Sequence, residues 1–219
     1  MRRWFWQTWN GRVRPLLDRL PPRIEADPRW AWLTTTWESR FPTARPVGHE
    51  LRGALADRWV RFHSPPESKR YPDDEAEYAE VLRRHHAVLD VLAAPGAELI
   101  AITVSWSPSR HPRRRPRDLV RAAPDGALWR SVLYEADDYG ESWFHLFASG
   151  LHNAPRDLDP LLRLVADWAT SDVILTSRDL DWLYHPYDGG GDLIPPSALE
   201  RDTLANRFAD WLPRNPAGL

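Results

Sequence analysis

Cysteine is absent from the 219-residue chain. Disulfides, zinc–thiolate sites, iron–sulfur clusters and cysteine nucleophiles are therefore excluded. Long hydrophobic runs are missing too, because the longest stretch without Asp, Glu, Lys or Arg, residues 142–155, is too short to cross a bilayer. The first residues, MRRWFWQ, lack the apolar segment of a secretory signal. We therefore expect a soluble, cytoplasmic protein that does not span a membrane.

Lysine is almost absent, since Lys69 is the only lysine among 29 Lys and Arg residues. The net charge is −2 and the isoelectric point about 6.4, whereas a nucleic-acid-binding protein usually has a basic balance. We therefore do not expect a nucleic-acid partner. Tryptophan is abundant, with 13 residues. Aromatic residues and arginine are typical of protein-binding hot spots, so another protein is a candidate partner.

Recognisable catalytic motifs are missing as well. The sequence contains no P-loop, GxGxxG, GxSxG or HExxH pattern, and its eight histidines do not have the spacing of metal ligands. We therefore expect no metal, and we assign no cofactor and no catalytic residue. His85 falls on the apolar face of a predicted helix, which favours a hydrogen-bonded core histidine.

Hydrophobic periodicity predicts an α+β fold. An apolar residue recurs every three or four positions after the acidic residues 73–77, which predicts a helix over 74–93. Alternation in 98–106 predicts a strand, and strands are also predicted over 127–135 and 142–150. Ser197–Glu200 is a capping box that opens the last helix. We expect a mostly antiparallel sheet packed against helices, with the three strands forming a meander in sequence order.

The N-terminal residues differ from the rest in composition. Residues 1–45 are rich in tryptophan and have helical spacing, interrupted by glycine and proline. We expect them to form a Trp-rich helical segment packed on the core, and residues 46–219 to form the α+β domain.

Two motifs carry a family resemblance. One is RWVRFHSPPESKRYP (58–72), and the other is LYHPYDGGGDLI (183–194). With the residues around them, they resemble a bacterial family of proteins of unknown function over roughly residues 45–219. The resemblance implies family membership and brings no activity or catalytic residue with it.

The first motif contains the polar loop of Ser68, Lys69, Arg70 and Tyr71. A lysine retained where arginine is otherwise used suits an ion pair in a tight space, a phosphate contact or a catalytic amine. Survival of one lysine by chance in a polar loop explains it as well.

The second motif supplies His185, Tyr187, Asp188 and Asp192. Its three glycines permit a positive φ and a close approach of the backbone to a ligand, although glycine is also the ordinary residue of hairpin turns. Functional groups commonly lie on loops held by a rigid scaffold. We therefore predict one binding site from both loops, with Lys69 near Asp188 or Asp192.

The run of basic residues 110–117 is the densest positive patch. Because it is rich in proline and lacks aromatic residues, we expect a solvated loop whose deletion barely changes stability. The sequence as a whole favours a non-enzymatic interaction protein, with immunity or antitoxin-like proteins as one form. The alternative is a small-molecule or phosphate-handling enzyme with a site built from loops 67–72 and 185–192. A concave pocket between these loops would favour the enzyme.

Overall fold

The protein forms a seven-stranded antiparallel sheet with helices on both faces, which confirms the α+β class. The structure, a computed structural model, describes residues 24–64, 71–112, 114–137 and 140–213. The helices in this part are α1 (Ala31–Arg40), α2 (Leu51–Ala54), α3 (Glu75–Leu92), α4 (Arg117–Ala122), α5 (Pro155–Ala166) and α6 (Ala198–Arg207). The strands are β1 (Val60–His63), β2 (Glu98–Ser107), β3 (Ala127–Asp137), β4 (Gly140–His152), β5 (Ile174–Thr176), β6 (Leu183–Tyr187) and β7 (Gly190–Ile194).

The protein has two hydrophobic cores, one on each face of the sheet, and alternating side chains of β2 contribute to both. Leu99 and Ala101 lie in the core that α3, α4, α5 and α6 form with one face of the sheet. Ile100 and Ile102 lie in the core on the other face, where α1 and the chain around α2 pack. Successive side chains of a strand point to opposite faces, so one strand contributes to both cores.

Side-chain caps begin the two predicted helices where the sequence places them. The Asp74 carboxylate accepts the backbone N–H of Glu77 at 2.9 Å, and α3 begins at Glu75. The Ser197 hydroxyl accepts the N–H of Glu200 at 3.2 Å before α6. These contacts satisfy N–H groups that lack a partner within the helix. In α3, His85 is buried and hydrogen-bonded to the Tyr184 hydroxyl, which confirms it as a core histidine.

The order of the central strands differs from the predicted meander. The sheet order is β1-β7-β6-β5-β2-β4-β3, so β4 lies between β2 and β3. The pairing is antiparallel as expected, but the expectation that β2 and β3 are neighbours is wrong. The connection between them contains α4, which packs in the helical core instead of turning β2 directly into β3.

On the second face, α1 packs its buried side chains Leu33 and Trp37 against the sheet. The Trp37 ring lies 5.9 Å from that of Trp129 in β3, and its indole N–H donates to the carbonyl of Ala44 at 2.8 Å. Residues 1–23 of the Trp-rich segment lie outside the described part, so the division at residue 45 stays a prediction. No helix among the described residues is long and apolar enough to cross a membrane.

Candidate functional site

A small polar pocket lies where β6 ends, next to the loop that leads from α5 into β5. Its volume is about 190 Å³. Three of its residues, His185, Tyr187 and Asp188, belong to the second predicted loop. The remaining lining residues are His49, Trp168, Thr170, Ser171 and Asp172. Three short segments of the chain, brought together by the end of the sheet, therefore build this pocket.

His49 and Asp172 form the charged pair of the pocket. The Asp172 carboxylate accepts both the backbone N–H of His49 at 3.1 Å and its Nδ1 at 2.6 Å. The hydrogen bond that its ring donates to this carboxylate raises the pKa of His49. Burial acts to raise the pKa of Asp172, but the hydrogen bond and charge of His49 outweigh it and lower that pKa. The pair is thus stabilised in its ionised form.

His49 also links the pocket to β3, because its Nε2 lies 3.0 Å from the Tyr134 hydroxyl. The Tyr134 ring stacks on Phe144 with centroids 4.4 Å apart. Burial raises the pKa of Tyr134, and the nearby carboxylates add to this effect, so the phenol stays protonated. Both ring nitrogens of His49 are therefore engaged, and its orientation is fixed from two sides.

His185 presents a hydrogen-bond acceptor. Its Nδ1 lies 2.8 Å from the carbonyl oxygen of Val173, and a carbonyl can only accept, so Nδ1 carries the proton. Burial lowers the pKa of His185, so the ring is neutral and Nε2 keeps its lone pair. Gly48 packs against this ring so closely that a Cβ there would lie 2.5 Å from Cε1. The glycine therefore leaves room for the histidine.

Two residues of the pocket have left-handed backbone conformations, which residues other than glycine seldom adopt. Asp172 has a φ of 56° and Trp168 a φ of 53°. Each such residue costs about 1–3 kcal/mol, and residues of this kind concentrate at functional sites. Trp168 is also 65% exposed at the pocket. At Trp168 this conformation ends α5, because its N–H donates to the Val165 carbonyl at 3.0 Å and the N–H of Ala169 donates to the Leu164 carbonyl at 2.8 Å. The exposed indole at the pocket is not required by this helix end.

Asp192, which the sequence predicts as a binding residue, is not among the residues that line the pocket. Its buried carboxylate forms a two-point ion pair with Arg61, at 2.7 Å and 2.9 Å. The Arg61 guanidinium also lies over the Tyr187 ring, 5.0 Å from its centroid. Burial, with the charge of Asp192, raises the pKa of Tyr187. Asp192 thus supports the wall of the site from the neighbouring strand.

The first predicted loop lies mostly outside the described residues. The residues of this loop outside the described part include Ser68, Lys69 and Arg70. Tyr71 is described, and its side chain is exposed. The proximity of Lys69 to Asp188 or Asp192 stays a prediction. In the described part of the chain, no group of three or more His, Asp or Glu residues is placed to hold a metal ion.

The glycines of the second motif serve the sheet. None of Gly189, Gly190 and Gly191 has a positive φ, and the last two belong to β7. A Cβ at Gly190 would lie 2.1 Å from the carbonyl oxygen of Phe62, and one at Gly191 would lie 2.3 Å from the Tyr184 hydroxyl. The hairpin turn is confirmed, because residues 188–189 connect the paired strands β6 and β7, but it uses no positive φ at these glycines. The approach of a ligand to this turn stays a prediction.

The basic run is also not the solvated loop expected from its composition. Arg115 is buried, and its guanidinium donates to the carbonyls of Leu119 at 3.0 Å and Ala123 at 2.7 Å. These carbonyls belong to α4 and its C-terminal end, so Arg115 holds this helix in place. Deletion of residues 110–117 would remove these contacts.

His49, Asp172 and Trp168 were not predicted from the sequence. They are single residues without periodic spacing, and His49 and Asp172 lie 123 positions apart. A weak signal is the polar run Thr170-Ser171-Asp172 in the loop between α5 and β5, because such loops often carry function.

Comparisons with known proteins add a family and no activity. Neither the search of curated proteins nor that of solved structures found a match. A family model described as a domain of unknown function, DUF3885, matches residues 47–216. This match covers most of the chain and includes both motifs. The chain therefore belongs to the DUF3885 family.

Proposed function

We propose that the chain is a non-enzymatic interaction protein that binds a cationic side chain, Lys or Arg, of a protein partner in the pocket at Trp168. The observation that carries this proposal is the exposed indole of Trp168 beside a small polar pocket. Exposed tryptophans beside pockets are typical hot spots of protein interfaces. An immunity or antitoxin-like protein, whose partner is a toxin, is one form of such a function.

The chemistry of the lining supports a cationic group. His185 offers a lone pair at Nε2, Asp188 supplies a carboxylate, and Trp168 and Tyr187 supply aromatic rings. The charge of Asp172 is already balanced by His49. Ammonium and guanidinium groups donate hydrogen bonds and are attracted to aromatic faces, so they match these features. Among the described residues of the lining, the cationic side chain is His49, and it already binds Asp172 and Tyr134.

The enzymatic alternative has one specific observation in its favour, the hydrogen-bonded chain Asp172–His49–Tyr134. A carboxylate, an imidazole and a hydroxyl in this order resemble the arrangement of a catalytic triad. The pKa of the Tyr134 phenol opposes this function, because burial raises it and a phenol with a raised pKa is harder to activate as a nucleophile.

The experiment compares two blocked tripeptides, Gly-Arg-Gly and Gly-Glu-Gly, titrated into the protein and followed by NMR. The Arg peptide should bind, and Trp168→Ala should weaken it by about two- to fivefold through loss of the aromatic face. Leu199→Ala is the matched control, because Leu199 is 77% exposed on α6. Equal binding of the Glu peptide, or an unchanged affinity of Trp168→Ala, would contradict the proposal.

A further inference from the structure

A second and larger cavity, of about 1160 Å³, lies between residues 24–28 and the region of α4. The start of β3 and Phe147 of β4 complete its lining. The cavity is distinguished by its arginines, which are Arg114, Arg115, Arg117 and Arg121. Arginine side chains hold a fixed positive charge and a planar fork of donors that matches phosphate oxygens.

Arg115 is the buried member of this group, only 9% exposed. Its three hydrogen bonds go to uncharged backbone carbonyls, those of Leu119, Ala123 and Gly126. Its Nε is buried without an acceptor, and no ion pair with a carboxylate forms among the described residues. Burial lowers the pKa of Arg115, as expected for a cation that lacks an opposite charge. The carbonyls at the C-terminal end of α4 offset part of the cost of burying this charge, and an anion bound in the cavity would offset more of it.

The other charges at the cavity leave a positive surplus. The charges cancel within two ion pairs. Arg121 pairs with Asp118, and Arg29 pairs with Asp27. Arg114 and Arg117 are exposed and form no ion pair in the described structure, and the same holds for the acid Glu25. Asp125 lies between the lining residues Pro124 and Gly126 and also forms no ion pair among the described residues. Three arginines without an ion pair against two such carboxylates leave a surplus of one positive charge.

Part of the lining is apolar. Leu128 and Phe147 are buried, Val120 is 44% exposed, and the Arg115 guanidinium lies 5.6 Å from the centroid of the Phe147 ring. A ligand that fits charge and lining together has an anionic group, whose oxygens match the arginine donors, next to an apolar body. We propose that this cavity binds a phosphomonoester with an apolar body, whose phosphate contacts Arg114, Arg115 and Arg117. This site is separate from the pocket at Trp168.

The probe is phenyl phosphate, compared with benzoate and followed by isothermal titration calorimetry. Arg115 supports α4, so the test uses the double variant Arg114→Gln/Arg117→Gln, with Arg52→Gln as the control because Arg52 is exposed on α2. Phenyl phosphate should bind more tightly than benzoate, and the double variant should weaken it by about tenfold or more.

Four outcomes decide the proposal. Binding of phenyl phosphate that falls as salt increases, with the control unchanged, supports it, because exposed charges are screened by salt. Equal affinity for benzoate would overturn the phosphate preference. An equal effect of Arg52→Gln would overturn the location. Failure of phenyl phosphate to bind to the native protein at low salt would overturn the site itself.

Discussion

Arg61 and Asp192 face each other across the paired strands β1 and β7, and both oxygens of Asp192 accept hydrogen bonds from the Arg61 guanidinium. The Asp192 side chain is 2% exposed and that of Arg61 is 13% exposed. Burial makes each charge depend on the other, because water cannot replace a lost partner. This pair joins the edge strand β1 to the hairpin that carries His185 and Tyr187.

Replacement of Asp192 by asparagine should lower the free energy of unfolding by about 3–5 kcal/mol, since it leaves the Arg61 charge buried without its partner. Guanidinium-induced unfolding measures the change. Asp118→Asn is the control, because Asp118 pairs with Arg121 on the surface, where an ion pair contributes about 0–1 kcal/mol. Equal losses in the two variants would contradict a buried role for Asp192.

The His49–Asp172 pair predicts a pH dependence of stability. The pKa of His49 is raised from 6.5, so its contribution is complete below pH 6.5 and is lost as the pH rises through the folded-state pKa. The pKa of Asp172 is lowered from 3.8, so its contribution is complete above pH 3.8 and is lost on acidification. The pair should stabilise the protein most between about pH 4 and pH 6.5.

His49→Gln should therefore lose most stability at about pH 5 and least at about pH 9. Thermal unfolding across this range measures the difference from the native protein. His63→Gln serves as the control, because the His63 ring makes no hydrogen bond to the described residues. A stability difference for His49→Gln that does not vary with pH would show that the ion pair does not form.

Gly48 gives a test of the position of His185. A Cβ at residue 48 would overlap the His185 ring, so Gly48→Ala should displace the ring and cost about 1–3 kcal/mol of stability. Gly53→Ala is the matched control, because a Cβ there meets nothing within 4 Å. Unfolding measurements and the imidazole NMR signals follow both effects. A tolerated Gly48→Ala with unshifted imidazole signals would place His185 elsewhere.

The glycine run gives a matched pair of substitutions. Gly191→Ala should destabilise the protein by about 1–3 kcal/mol, because a Cβ there would overlap the Tyr184 ring that hydrogen-bonds His85. Gly189→Ala should change stability by less than about 1 kcal/mol, since its nearest contact would be 3.5 Å from the Tyr187 ring. Thermal unfolding compares the two, and the opposite order would mean that the turn, not the sheet, requires glycine.

Features determined by neighbours along the chain could be predicted from the sequence. The helix α3 follows from the acidic first turn, the Asp74 cap and the spacing of its apolar residues. The two faces of β2 follow from the alternation of its side chains. In each case the same few adjacent residues supply both the signal and the structure.

Features that depend on distant residues could not be predicted. The position of β4 between β2 and β3 depends on how the α4 connection packs. The partners of Asp192 and Asp172 come from segments more than a hundred positions away. The burial of Arg115 could not be predicted from the sequence, because a basic, proline-rich run is usually solvated.

The NMR signals of the His185 ring nitrogens, recorded while ethylguanidinium is added, test the central claim that this pocket accepts a cationic group. The structure predicts that Nδ1 is protonated and bonded to the Val173 carbonyl, and that Nε2 is unprotonated. Ethylguanidinium should shift the Nε2 signal, and acetate should not. A protonated Nε2, or an Nε2 signal that responds to acetate and not to ethylguanidinium, would contradict the account.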